Sequence, residues 1–410
     1  MKKLTSLFVG LLLFISASFS FAGEVQLYHD KAGWQDWWIE TLALDSNNTY
    51  EVTPFADTSS FQATVRQSLR ADPPGLFTWW AGYRMKDMVD SGLVEDLSPI
   101  WDKYIAAGEV SPDLAKAFQF DGKTYAVPSL IAFWPMYYNK IVYKELGLSV
   151  PKTWEELESN FDKIKASGRV AVGQTIEGRW PTFIWFEEFL IRSDPDFYED
   201  LVEGRAKYTD PQVEEAFLTW KSWIDKGWMD DGSAAFGFTT GDSMNNSFSK
   251  GEVVHMLVGT WFASTVTGGG IKEGEEWGYF VLPNKDPSLP PSVIFEAGPI
   301  MVAANAKNKQ DALNAIDFWM SKKASAKWTE LMFFPPHNLN AALPGGEVGA
   351  IVKEINDKGY RQINRYWEAT PTVICEAAVD ELAKFVIDPS SYKSVMESLQ
   401  ELADNYWSQQ

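Results

Sequence analysis

The strongest constraint on this chain is an alternation. EVQLYH (24–29) reads as a strand, and Trp34, Trp37, Trp38 and Leu42 then fall at i, i+3, i+4 and i+8, one face of a helix. TYEVTPF (49–55) is the next strand, Phe61, Val65 and Leu69 stripe the next helix, and GLFTWW (75–80) is a third strand. Strands alternating with helices need crossover connections, which predicts an α/β fold on largely parallel sheets. A chain of 410 residues exceeds a single core, so two or more domains are expected.

One helix start is well marked. In VPKTWEELESNF, Thr153 can cap the helix while Glu156 reaches back, a capping box, and Trp154, Leu157, Phe161 and Ile164 follow on one core-facing stripe. The C-terminal third carries two further stripes, one from Cys375 to Val386 and one from Tyr392 to Tyr406. LPNKDPSLPPS (282–292) reads as a loop between apolar runs.

The first 22 residues, MKKLTSLFVGLLLFISASFSFA, have two lysines, an apolar run and small residues before Gly23, the pattern of a secretory signal peptide. Gly23, not cysteine, follows the cleavage point, so no lipid anchor is expected and a periplasmic location is favoured. Losing Lys2 and Lys3 takes the net charge from −20 to −22, which disfavours nucleic acid or an anionic membrane as partner. Cys375 is the only cysteine, so no disulfide can form within the chain. His29, His255 and His337 make no i, i+4 metal pair, and no metal is expected.

Catalytic signatures fail one by one. The carboxylate pairs Glu187–Glu188, Asp230–Asp231 and Glu275–Glu276 are expected by chance among 56 acidic residues. DGKTY (121–125) contains Gly-Lys-Thr, but Ala117 stands where a phosphate loop needs glycine. GGG at 268–270 has no lysine behind it, and no GxSxG elbow occurs.

What remains is a supply of aromatic rings outside the helix stripes. Trp79 and Trp80 end a strand, Phe133 and Trp134 precede Pro135 in AFWPMYYNK, Trp180 precedes Pro181, Trp261 follows Gly259, and Trp367 sits in INRYWEATP. Ligands of α/β sheets bind beyond the carboxyl ends of strands, and flat rings there suit the C–H faces of a sugar.

The run YAVPSLIAFWPMYYNKIVYKELGLSVPKTWEEL (125–157) resembles the central signature of the extracellular solute-binding proteins of ABC sugar importers, the maltose and oligosaccharide branch. PPGLFTWWAGYRMKDMVDSGLVEDLSP (73–99) and FSKGEVVHMLVGTW (248–261) resemble two further elements of that family, in order. The resemblance implies a two-lobed fold, each lobe a mainly parallel sheet flanked by helices and joined by crossover hinge strands. It places residues 23–129 with 298–335 in the N-terminal lobe and 130–297 with 336–410 in the C-terminal lobe.

Carried over by position, the resemblance sets Trp80 and Arg84 in the sugar-facing loop of the first lobe, with Trp79 beside them. Phe133 and Trp134 lie on the crossover strand, next to Ala132 where the maltose-binding branch has a carboxylate. Glu177, Arg179 and Trp180 match a second-lobe loop, Trp261 a stacking tryptophan and Trp367 a C-terminal aromatic. Glu296 of FEAGP fits a hydroxyl acceptor on the return crossover, and His29 and Asp30 end the first strand where a polar contact is common. Trp34 is a helix-stripe residue that is also a candidate ligand contact, and Arg179 can alternatively pair with Glu177. The implied function is capture of a neutral sugar or oligosaccharide by a monomer without cofactor or catalysis, for delivery to a membrane permease. The alternatives are a secreted carbohydrate-active enzyme and a receptor of the same fold for a polyol or cationic solute.

Overall fold

The computed structural model describes residues 23–229 and 243–409. Residues 1–22, expected from the sequence to be a signal peptide, and the Asp230–Asp231 pair lie outside the described residues. β1 (Gly23–His29) has β2 (Asn48–Pro54) on one side and β3 (Leu76–Thr78) on the other, all parallel. Alternation buries Val25, Leu27 and His29 of β1. The helix Thr58–Ser68 begins where Asp57 accepts a 2.7 Å hydrogen bond from the Ser60 N–H, and it buries Phe61 and Val65. Helix Gln35–Leu42 buries Trp38, whose ring stacks on Trp319 at 4.9 Å and meets Trp328 at 4.4 Å. This indole cluster ties the first helix to the helices Lys309–Trp319 and Lys322–Met332.

A small hairpin, β4 (Gln119–Phe120) and β5 (Lys123–Thr124), precedes β6 (Val127–Phe133), which runs through Trp134-Pro135 directly into β7 (Met136–Asn139). β8 (Val170–Val172), β9 (Val253–Leu257) and β10 (Trp277–Phe280) join β7 in a second sheet of order β10-β7-β9-β8. The long strand β11 (Ser292–Val302) then returns to the first sheet. It pairs with β12 (Arg361–Asn364) at its start, with β3 at its end, and with β6 between. Phe295 pairs with both β12 and β6, and Ile300 with both β3 and β6, so β6 occupies one edge of β11 while β12 and β3 share the other.

The expectation of mainly parallel sheets holds in the first sheet for β1–β3 and for β11 with β12, and is corrected for the other pairs of β11 and for most of the second sheet. β7 is antiparallel to both β9 and β10, β11 is antiparallel to β3 and β6, and only β8–β9 is parallel in the second sheet. Alternation makes neighbouring strands parallel only where a helix separates them. β6 and β7 are joined by two residues, so no crossover helix sets their direction. Tyr137 and Tyr138 are both buried, although successive strand residues point to opposite faces, because the second sheet is covered on both sides.

The helix Trp154–Ala166 starts as expected in one half of its cap. Thr153 accepts from the Glu156 N–H at 3.3 Å, but Glu156 reaches the Lys152 N–H at 2.7 Å rather than that of Thr153. Helices Phe183–Ser193, Pro211–Asp225, Thr372–Ile387 and Tyr392–Trp407 complete the second region. Among the described residues no helix is long and apolar enough to cross a membrane.

Candidate functional site

β6 and β11 form the wall between two cavities. Glu296 lies opposite Ala132, and Phe295 opposite Phe133. Because strand side chains alternate between faces, Glu296 and Leu130 look into a small cavity of about 40 Å³, while Phe133, Phe295 and Ile131 line a groove of about 1020 Å³ on the other side. Phe133 packs on Phe295 at 5.9 Å and does not share a face with Glu296. The sequence placed it with the cleft rings, and the two-residue strand period puts it behind them.

His29, Asp30, Trp34, Trp79, Trp80 and Glu296 all line the small cavity. Their roles there differ. Trp34 and Trp80 are half-buried rings, and the Lys31 ammonium stands 5.8 Å from the Trp80 ring centre. Asp30 contacts Lys31 and accepts from Thr78 Oγ1 at 3.3 Å. His29 is fully buried and donates through Nε2 to Gln35 Oε1 at 2.8 Å, the Gln35 amide being oriented by its own bond to the Val52 carbonyl. Burial lowers the His29 pKa, only partly offset by Gln35, which leaves the ring neutral at pH 7. Trp79 is buried, and its indole N–H donates to the Arg84 carbonyl at 3.0 Å.

Glu296 is the polar centre of the site. Its Oε2 accepts from Trp134 Nε1 at 3.0 Å and Trp261 Nε1 at 3.2 Å, and lies 3.2 Å from Arg365 Nη1. Hydrogen bonds to a charged partner contribute roughly 1.5–3 kcal/mol each, so the carboxylate is held firmly. Arg365 also grips Glu368 at 2.8 Å and 2.5 Å. Burial would lower the Arg365 pKa, but Glu296 and Glu368 outweigh it and raise it, so the guanidinium stays charged. The three indoles Trp134, Trp180 and Trp261 meet edge to face: Trp134–Trp180 at 6.0 Å and 81°, Trp134–Trp261 at 6.2 Å and 77°, Trp180–Trp261 at 6.1 Å and 61°. Trp134, 1% exposed, is the buried post of this cluster, and Trp180 and Trp261 are its half-buried faces. Gly259 is required next to Trp261, because a Cβ there would overlap the indole nitrogen.

Arg84 and Arg179 meet elsewhere. Arg84 Nη2 lies 2.6 Å from Glu376 Oε1, and its guanidinium covers the Trp367 ring at 3.8 Å. Arg179 reaches Glu376 Oε2 at 3.3 Å and holds Asp380 at 3.0 Å and 2.9 Å. Arg179 therefore does not pair with Glu177, whose Oε2 is buried without a hydrogen-bond partner among the described residues. These bonds brace a loop in which Gly178 and Arg179 both have positive φ (77° and 67°), directly before Trp180. Glu187 accepts from the Tyr366 N–H at 2.6 Å and Glu188 pairs with Arg192 at 2.8 Å, both deep in the helical layer.

Sequence reasoning missed Lys31, Arg365, Glu368 and Glu376. Arg365 and Glu368 stood at i, i+3 astride Trp367, a spacing that puts both on one side of a helical turn. Glu376 had no local signal, since its partners lie 292 and 197 residues away.

A Brucella abortus protein named as a binding protein is 24% identical over 397 residues, covering 92% of each chain. The solved structure of the bacterial solute receptor AcbH, described as preferring β-D-galactopyranose, has a TM-score of 0.83 and 19% identity, over 94% of this chain and 100% of that one. The binding protein RafE in complex with raffinose gives 0.75 and 16%, over 93% and 99%. The shared fold is two α/β lobes joined by crossover strands. The profile of the bacterial extracellular solute-binding proteins matches residues 37–355, and the chain belongs to that family.

Proposed function

We propose that the protein captures a neutral sugar or oligosaccharide between its lobes and delivers it to the membrane permease of an ABC importer. The observation that carries this is Glu296, a carboxylate fixed through Oε2 by two indole N–H groups and Arg365, facing a cavity edged by Trp34 and Trp80. Oxygen acceptors beside apolar ring faces match the two kinds of surface a sugar presents. The receptors for galactopyranose and raffinose that share the fold support the same ligand class.

A neutral ligand is favoured over a cation by the charge balance. Asp30 has Lys31, Glu296 and Glu368 share Arg365, and Glu376 has Arg84 and Arg179. Each of these acids has a basic partner, and Glu177, which has none among the described residues, does not line the cavity, although the chain as a whole carries −20. A carrier is favoured over an enzyme because Glu187 and Glu188 are committed to the Tyr366 backbone and Arg192. A cavity of about 40 Å³ holds only a few waters, so the lobes must part to admit a sugar ring and close over it.

The lobes are residues 23–129 with 298–335 and residues 130–297 with 336–410; two of the three crossings fall at the Leu130–Gly298 strand pair, which supports a hinge there. In this reading the protein acts as a monomer in the periplasm. The test is a tryptophan-fluorescence titration with galactose, maltose and raffinose, followed by chromatography of the recovered sugar. Saturable binding of an unaltered sugar is expected. Turnover, or no saturable change with any sugar, would defeat the reading.

A further inference from the structure

The Arg84–Glu376 pair spans the two lobes. Arg84 belongs to the helix Tyr83–Asp90 that follows β3 of the first sheet. Glu376 lies on the helix Thr372–Ile387, which packs against Phe183–Ser193 and Tyr392–Trp407 in the second region. Arg84 is 4% exposed while the Glu376 side chain is 38% exposed, so the contact is buried on its arginine side and open to solvent on the other.

Between these helices sits Trp367. One face of its ring is covered by the Arg84 guanidinium at 3.8 Å, and the other stacks on Phe183 at 5.8 Å and 28°. No face is left for a sugar while the clasp is formed, which argues against the expectation that Trp367 contacts the ligand. The backbone closes the same point. Gly82, at φ 62°, lies so near the Glu368 carbonyl oxygen that a Cβ would overlap it. Trp79 and Glu368 line the cavity, and they touch the Arg84 segment through the Arg84 carbonyl and Gly82, so the cavity wall abuts the clasp, whose own three side chains do not line it. At its other end Trp34 is held edge-on by Trp328 and Phe334 at 6.2 Å and 5.5 Å.

We infer that the clasp of Arg84, Trp367 and Glu376 is a length gate, and that the ligand is a short neutral sugar of one or two rings rather than an extended oligosaccharide. This rests on reading the cleft as a sugar site. A third ring would have to displace the Arg84 guanidinium from both Glu376 and Trp367.

The experiment is a fluorescence titration with galactose and with α-1,4-glucose and β-1,4-xylose oligomers of one to five rings. In the parent, the tightest ligand has one or two rings, and oligomers of four or five bind at least about tenfold more weakly. Arg84→Ala, and the milder Glu376→Gln, narrow that gap to about threefold or less, with thermal unfolding recorded for each variant. Pentamers binding the parent as tightly as dimers would overturn the gate. So would variants that fold and keep the parent's length preference. If no sugar binds at all, the sugar reading itself falls and takes this inference with it; binding without length preference defeats the gate alone.

Discussion

The indole N–H of Trp261 lies 3.2 Å from Oε2 of Glu296, joining the turn after β9 to the returning crossover strand. The same oxygen is shared with Trp134 and Arg365. Glu296→Gln keeps the shape and removes the charge. Sugar affinity in titration calorimetry should fall about tenfold or more, roughly 1.4 kcal/mol. Glu296→Ala should also lower the melting temperature, because Arg365 loses one of its two carboxylate partners in a buried setting. Unchanged affinity in Glu296→Gln would remove this carboxylate from the site.

The tryptophans should separate into two classes. Trp261→Ala and Trp180→Ala should each weaken binding of the preferred sugar by about tenfold or more. Trp367→Ala, whose ring is enclosed by Arg84 and Phe183, should instead cost stability, with little loss of affinity for a monosaccharide. Fluorescence titration beside thermal unfolding reads both effects. Equal affinity losses in all three would show that Trp367 touches the ligand.

Phe133 faces the larger groove and packs on Phe295. Phe133→Ala should destabilise the protein by about 3–5 kcal/mol in urea unfolding. Affinity should stay within about threefold of the parent. A large affinity loss at full occupancy of the folded state would contradict its position on the far side of β6.

Ionic strength discriminates between ligand classes. Binding of an uncharged sugar should be nearly constant between low salt and about 0.5 M sodium chloride, since there is no ligand charge to screen. A cationic ligand held by Glu296 would lose affinity over that range. Marked salt dependence for the bound solute would therefore favour the cation receptor.

Acid should destabilise the fold through two buried histidines. His255 sits between Tyr143, whose hydroxyl donates to Nε2 at 2.6 Å, and the Ala171 carbonyl, which accepts from Nδ1 at 2.7 Å. His337 is held by the Trp319 carbonyl at 2.8 Å. Burial lowers both pKa values to about 4, below the unfolded value of 6.5. Between those pH values the unfolded chain binds protons that the native rings refuse, so stability falls as pH drops from 6.5 toward 4, by up to about 3 kcal/mol for each ring. Melting temperatures of the parent and of His255→Gln with His337→Gln should show a flatter acid limb in the double variant. An unchanged limb would place the acid sensitivity elsewhere.

Much of this architecture could be read from local pattern. The strand–helix alternation marked β1 to β3, and the 3.6-residue stripes marked Trp38, Phe61 and Val65 as core. Thr153 and its neighbours marked a helix start because a cap is a contact between residues three apart. Rings in loops pointed to Trp80, Trp180 and Trp261, which are half-buried, but the same cue also selected Trp79 and Trp134, which are buried. Aromatic type alone does not distinguish a face offered to a cleft from one spent on a neighbouring indole.

The sequence by itself determined the class of fold, the helix faces and the inventory of rings and acids, because these follow from periodicities of two and 3.6 and from composition. Only the tertiary structure decided which face of β6 and β11 each residue takes, and that Arg84 closes on Glu376 across 292 residues. Strand face depends on pairing register, and ion-pair choice on which helices the two lobes bring together. Both are set by packing between distant segments, and neither leaves a mark on its sequence neighbours.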